Sequence, residues 1–334
     1  MCMTNRFYCL LACLLCAVSS RAQGEREYLQ QKSGAYTYAY RVDEHSREYR
    51  LTSAEAAAFD KSFAALEAVL RRHPVLVAPK GFDVRFKARP LFAFEHDKHP
   101  YNYGIAGEAV IEFQEWFRYG GAVQKQQLEP PSLLVDINAL GATIANEANR
   151  FEGDGYDDAL HAAARRLNEF FGAPRLVAEL DTGVHLYANN IIVVAKPGRP
   201  YWIPVTVQQY FDALFRYYEL RLRKAPAESG VLELIRNEYA AIPPAERSGP
   251  AFGATESISG ITASANEFPI MTFNPGYFDR KLPRTAIQLL TLRDHSTLGL
   301  SEPDPEIGGD GPAPKAIRTL LRTLDTGALR RLLR

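Results

Sequence analysis

The sequence predicts an α+β fold in which a mainly antiparallel sheet is packed by several amphipathic helices, and three observations lead there. Segments with a period of two in apolar and polar side chains follow one another without a helix between them. Antiparallel neighbours are then the simplest pairing, because parallel strands need a crossover of about a dozen residues. The helical stretches each carry a start signal and a single apolar stripe. The two kinds of element are grouped, not alternated as in a βαβ fold.

Residues 23–50 are polar and tyrosine-rich, a lead-in able to add an edge strand. Thr52-Ser53-Ala54-Glu55 has capping-box form, and Phe59, Phe63, Leu66 and Leu70 then recur at helical spacing until His73-Pro74 stops the pattern. Phe82, Val84, Phe86 and Ala88 alternate with Asp83, Arg85, Lys87 and Arg89, which marks a half-buried strand. A second alternation sets Ile111, Phe113, Glu115 and Phe117 against Val110, Glu112, Gln114 and Trp116, and Leu133 to Asn138 is a third strand. Acidic residues from Asp154 to Asp158 suit a helix start. Leu160, Ala164, Leu167 and Phe171 form its stripe, and Gly172 its stop.

Strands follow at 176–180, 184–188, 191–195 and 201–205, the last entered through the tight turn Lys196-Pro197-Gly198-Arg199. Thr206 with Gln209 makes another capping box, ahead of a stripe of Val207, Phe211, Leu214, Tyr218 and Leu222. A shorter helix covers 229–241. Residues 247–267, rich in Gly, Ser, Ala and Thr, read as a long surface loop. Strands at 269–273 and 287–292 and a C-terminal helix over 314–332 complete one continuous body, with no internal repeat.

The first 22 residues have the layout of a signal peptide: Arg6, an apolar run from Phe7 to Val18, then Ser20-Arg21-Ala22, with cleavage expected before Gln23. The run is too short to span a bilayer core of about 30 Å. A competing reading is a lipoprotein, since Leu10-Leu11-Ala12-Cys13 has lipobox form with Cys13 as the anchor. Cys2, Cys9, Cys13 and Cys16 all lie in this segment, so a mature chain from Gln23 has no disulfide framework, thiolate metal site or cysteine nucleophile. It must be held by its core, and it is long enough to bury one. The chain is 46% hydrophobic and 23% charged, an ordinary globular composition. Its 39 basic and 39 acidic residues balance, and losing Arg6 and Arg21 with the leader leaves a slight acidic excess. That argues against a nucleic-acid partner, which calls for a basic face. No later segment is apolar enough to cross a membrane. The expected location is therefore the periplasm or the cell exterior.

Arg199-Pro200-Tyr201-Trp202-Ile203-Pro204-Val205-Thr206 resembles a motif of exported bacterial proteins without known activity, in which a turn and a short aromatic strand launch a helix through Pro-Val-Thr. Pro79-Lys80-Gly81-Phe82 and Asn274-Pro275-Gly276-Tyr277-Phe278-Asp279 resemble further pieces of such proteins. The resemblance implies a shared fold and transfers no catalytic residue. From the residues themselves, Trp202 anchors the strand, Pro204 keeps it extended and Thr206 caps the helix. A functional reading sets Arg199, Tyr201 and Trp202 at the lip of a groove where a ring face stacks on a sugar or a peptide side chain, with Tyr187, Asn189 and Asn190 adding polar contacts.

Other constellations carry less. His96-Asp97-Lys98-His99 beside Glu95 reads as a solvated loop, and the other histidines form no ligand motif. Glu152, Asp154, Asp157 and Asp158 do not match a calcium loop and read as helix-start charges. Ser257-Ile258-Ser259-Gly260 lacks the leading glycine of a nucleophile elbow. A carboxylate pair for glycoside hydrolysis needs a separation no sequence shows, and Glu112, Glu179 and Asp181 are its candidates. The leading expectation is a cofactor-free, metal-free, non-catalytic binding or envelope-associated module. Its expected partner is an unidentified extracellular or periplasmic ligand met by some of Trp116, Tyr187, Tyr201, Trp202 and Tyr277. Hydrolysis of an extracellular polymer is the alternative, and a structural partner in a complex the third.

Overall fold

Periodicity and capping place the elements close to where a computed structural model has them, and it describes residues 27–41, 51–94, 103–144, 151–153, 157–188, 190–226, 229–265, 267–295 and 311–334. The expected signal peptide with its cysteines and the 95–99 histidine segment lie outside the described residues. In the first half of the chain the elements are β1 (Tyr36–Tyr40), α1 (Ser53–Leu70), α2 (Pro74–Val77), β2 (Phe82–Phe94), β3 (Gly104–Tyr119), β4 (Ala122–Lys125), β5 (Ser132–Ile137), a 3-10 turn (Leu140–Thr143) and α3 (Asp158–Asn168). Then come β6 (Phe171–Gly172), β7 (Leu176–Asp181), β8 (Val184–Tyr187), β9 (Ile191–Ala195), β10 (Trp202–Pro204), α4 (Val207–Leu222), α5 (Ser229–Ala241), β11 (Phe252–Gly253), β12 (Ile261–Thr262), β13 (Ile270–Phe273), β14 (Leu289–Asp294), α6 (Pro312–Arg322) and α7 (Thr326–Arg330).

The fold is α+β with mixed, mostly antiparallel strands. Among the described residues no helix is long and apolar enough to cross a membrane. Contacts divide the chain into two compact units. The first comprises Met1–Ala93, Gly104–Asn138 and Pro283–Arg334, and the second Phe94–Tyr103 and Ala139–Leu282.

In the first unit the strand order is β1-β2-β3-β5-β14, with β4 paired to β3. The lead-in does supply an edge strand, but β1 runs parallel to β2, Tyr36 opposite Val84 and Tyr40 opposite Ala88. The crossover that parallel pairing requires is the segment carrying α1. The α1 capping box is complete: Thr52 Oγ1 accepts from the Glu55 amide at 3.1 Å, and Glu55 accepts from the Thr52 amide at 3.0 Å. Phe59, Phe63, Leu66 and Leu70 are buried along its inner face, each side chain contributing about 1.5–3 kcal/mol by leaving water. Gly107 permits this approach, since a Cβ there would stand 2.5 Å from the Phe59 ring. Val84, Phe86, Ala109 and Ile111 are buried beside it, while Arg85, Lys87, Glu108 and Glu112 alternate onto the opposite face.

Asn138, fully buried directly after β5, holds the sheet's centre. Its φ of 54° is left-handed, which asparagine tolerates better than most residues. Its amide nitrogen donates to Ile105 O at 3.1 Å and Ala286 O at 2.9 Å. Its carbonyl oxygen accepts from Gln288 N at 2.8 Å and Leu289 N at 3.2 Å. The expected single C-terminal helix is instead α6 and α7, broken at residues 323–325, where Asp325 accepts from Ala328 N at 2.8 Å and so caps a new start.

In the second unit β7, β8 and β9 form an antiparallel meander, β10-β13-β6 a three-stranded sheet and β11-β12 a two-stranded ribbon. Helices α3, α4 and α5 share a core of Leu160, Leu167, Phe211, Leu214 and Ile235 with Val205 and Ile270. Three expectations are corrected. Phe171 belongs to β6, opposite Met271, because α3 ends at Asn168. The α4 stripe buries Tyr217 and Leu220, not Tyr218 and Leu222, since a period of 3.6 drifts over four turns. Residues 247–267 are not a featureless surface loop. Ala251, Ser259 and Ile261 are buried there, and the Glu238 carboxylate accepts from Ser257 Oγ, Ile258 N and Ser259 N.

Replacing Asn138 by Ala strands two carbonyls and two amides in the core. We expect a loss of about 3–5 kcal/mol in chemical unfolding, with Asn138→Gly only about 1 kcal/mol milder because it relieves φ alone. A loss below about 1 kcal/mol for both variants would show that these bonds do not hold the unit.

Candidate functional site

Two fragments singled out in the sequence meet in the second unit. The turn Lys196-Pro197-Gly198-Arg199 relies on Gly198, whose φ is 73°, and delivers the chain into β10. Trp202 of β10 pairs with Phe273 of β13, which places Asn274 beside the turn. The Asn274 side chain donates to Pro200 O at 2.7 Å and its backbone amide to Tyr201 O at 3.0 Å, while Arg199 Nη1 donates to Tyr277 O at 3.0 Å. The segments 199–206 and 274–279 are thus one hydrogen-bonded construction.

Around it lies a block of rings. Trp202 sits 4.9 Å from Tyr201, 5.0 Å from Tyr187 and 5.4 Å from Phe171 between ring centroids. Its indole N–H donates to Thr143 Oγ1 at 2.7 Å, and the Thr143 hydroxyl donates to Leu140 O at 2.6 Å, so the ring is anchored to the 3-10 turn. The hydroxyls of Tyr187 and Tyr201 hydrogen-bond each other, and Tyr201 OH also pairs with His185 Nδ1 at 2.8 Å. Burial, reinforced by the neighbouring Tyr187 hydroxyl, pushes the Tyr201 phenol far above its ordinary range, and burial raises Tyr187 and Tyr277 as well. All three phenols are therefore neutral and unfit as bases at neutral pH.

These rings border a concavity of about 430 Å³, whose lining adds Glu179, Thr182, His185, Lys196 and Met271. Arg199, Tyr201, Trp202 and Tyr187 are brought together at it; Asn189 lies outside the described residues. Asn190, with φ of 58°, donates its amide to Tyr187 O and does not line the concavity. Tyr201 is 4% exposed and Trp202 7%, so neither ring offers an open face. Periodicity could not have shown this, because a strand position says which face a ring takes and not what lies over it.

Of the other candidates, Trp116 is in the first unit, its ring faced by Lys32 Nζ at 4.0 Å and Lys125 Nζ at 4.7 Å. Glu179 Oε1 accepts from Gly183 N at 3.3 Å, Asp181 Oδ1 from Thr182 N at 2.7 Å, and Glu112 is ion-paired with Lys87. Asp157 caps α3 through Ala159 N and Leu160 N. Among the described residues no group of three or more His, Cys, Asp or Glu is placed to hold a metal ion. Sequence reasoning missed His185 and Lys196; a histidine two residues before Tyr187 on an alternating strand was the available signal.

Burial holds His185 below its ordinary value of 6.5, partly opposed by Glu179. The unfolded chain then takes up the proton more readily, so this contribution to stability is present above pH 6.5 and fades as pH falls below it. The unfolding midpoint of the wild type, measured relative to His185→Gln, should drop between pH 7.5 and 5; a constant difference would show that His185 does not titrate with folding.

No family model matches the chain, and no curated protein or solved structure matches it.

Proposed function

We propose that the chain is a non-catalytic binding module whose ligand seats in the concavity bordered by Tyr187, Tyr201 and Trp202. The observation that carries this reading is the hydrogen-bonded state of the block: indole, both phenols and His185 are engaged with protein partners, which makes a pre-formed, rigid wall. The charged groups of the lining are Lys196, Arg199 and Glu179, so cations outnumber acids there, with Arg199 held to Tyr277 O and Glu179 to Gly183 N. A ligand with an acidic group and a small apolar edge matches that lining, and an acidic peptide or a lactyl-bearing sugar has both. With these rings buried, the wall does not offer the stacked faces that the sequence suggested.

The alternative, polymer hydrolysis by a carboxylate pair, asks for two acids converging with one held protonated. The concavity brings one, Glu179. In the first unit Glu108 stands opposite Asp136 across β3 and β5, and burial raises Asp136. The Nε and Nη2 of Arg293 both donate to Asp136 Oδ2, at 3.1 and 2.9 Å, which favours a structural ion pair over an acid catalyst. Binding is the better-supported reading.

Thermal unfolding with a muramyl dipeptide, chito-oligosaccharides and an acidic tripeptide tests it. A ligand at a hundred times its dissociation constant adds about 2.7 kcal/mol to the folded state and raises the midpoint. The rise should vanish in Lys196→Glu while the unliganded midpoint is kept. If no member of the panel shifts the wild type, the proposal fails.

A further inference from the structure

The first unit has a second concavity, about 630 Å³, on the sheet face opposite α1. Thr37 and Ala39 of the edge strand β1 make one side of it, Arg85, Lys87 and Arg89 of β2 the middle, and Glu108, Val110 and Glu112 of β3 the other, with Arg41 at the end of β1. Alternate positions of one strand are roughly 6.6 Å apart, so β2 presents a straight row of three cations about 13 Å long. Among the described residues that line it, four cations face two carboxylates.

Their heights differ. The side chains of Arg85, Lys87 and Arg89 are 45%, 43% and 50% exposed, whereas those of Glu112 and Glu108 are 15% and 20% exposed. The acids are set into the floor and the cations stand above them, so the outer surface of the trough is positive. Lys87 pairs with Glu112, and Arg89 donates to Glu108 Oε1 at 3.1 Å through Nη2. Arg85 stands 3.8 Å from Glu112, beyond hydrogen-bond range. Pairs this exposed are weak and exchange partners readily.

We propose that this trough binds a linear anionic polysaccharide, whose carboxylate or sulfate groups lie along Arg85, Lys87 and Arg89 and reach Arg41. Between the charged groups it is lined by the small side chains of Thr37, Ala39 and Val110. Among the described residues that line it, the one ring, Phe86, is fully buried, so bases find no face to stack on there and a single-stranded nucleic acid is disfavoured.

The test is fluorescence anisotropy of labelled oligogalacturonate and of a heparin fragment with the whole chain, at low and at high salt, with an oligo-dT probe alongside. Binding of at least one of the two glycans that weakens steeply with salt is expected, and which of them binds separates carboxylate from sulfate recognition. Arg41→Ala and Arg85→Ala should each weaken it about fivefold, the order expected for one exposed charge contact. Glu112→Gln should tighten it, because Lys87 is released, whereas a structural role predicts no gain. Lys196→Glu, in the other concavity, should leave it unchanged. Absence of binding at low salt to both glycans, indifference to Arg41→Ala and Arg85→Ala, or tighter binding of oligo-dT through the same residues would each overturn the proposal.

Discussion

The first unit depends on the buried carboxamide of Asn138. The chain must leave β5, turn, and still satisfy the backbone groups of two segments that arrive from far away in sequence, Ile105 before the body of β3 and Ala286 to Leu289 ahead of β14. Regular pairing cannot do this at a strand's end, where the ladder stops. One side chain with two donors and two acceptor lone pairs can, if its backbone takes the left-handed conformation that aims it inward. An aspartate there would bring a charge and no donor, and a leucine would leave four polar groups dry. Without those bonds, the apolar contact between α1 and the sheet would rest on strands whose ends are free to splay.

The second unit solves a similar problem with rings. Trp202, Tyr201 and Tyr187 are large enough to fill the space beneath a short three-residue strand, but each carries a polar atom that cannot be left dry. Thr143 takes the indole N–H, and the phenols take each other and His185. The aromatic block and the Asn274 turn are thereby mutually dependent: the turn fixes β10, and β10 fixes the rings. This is why residues that look like an exposed binding surface in the sequence are instead buried as the wall of a concavity.

Much of this was legible in the sequence. Thr52 with Glu55 and Thr206 with Gln209 are local signals, and both capping boxes formed; the alternation from Phe82 to Ala88 gave a strand and its inner face directly. The parallel direction of β1 was not legible, since a five-residue strand says nothing about its partner. Nor was Asn138, which sits at the end of an apolar run and looks like a strand terminator; its role needs Ile105 and Ala286 in view. The Ser257 to Ser259 segment misled because its order comes from Glu238, about twenty residues away on another element. For the site, residue types and their neighbourhood were readable, but ring exposure was not, because it is set by Thr143, Phe171 and Tyr277 from three other segments.

The distribution of charge across the first unit's sheet follows from the same alternation. A half-buried sheet must place every second side chain away from its helix, and acidic and basic residues on adjacent strands then pair across it, each pair contributing a few tenths of a kcal/mol up to about 1. Here the carboxylates on β3 lie low and are nearly covered, while the cations on β2 rise beside an edge strand that contributes Thr37 and Ala39, side chains too short to shield them. Short residues on β1 thus cost the sheet little packing and leave the guanidinium groups accessible from the side. That asymmetry is a property of which residues fill the open face, not of the fold.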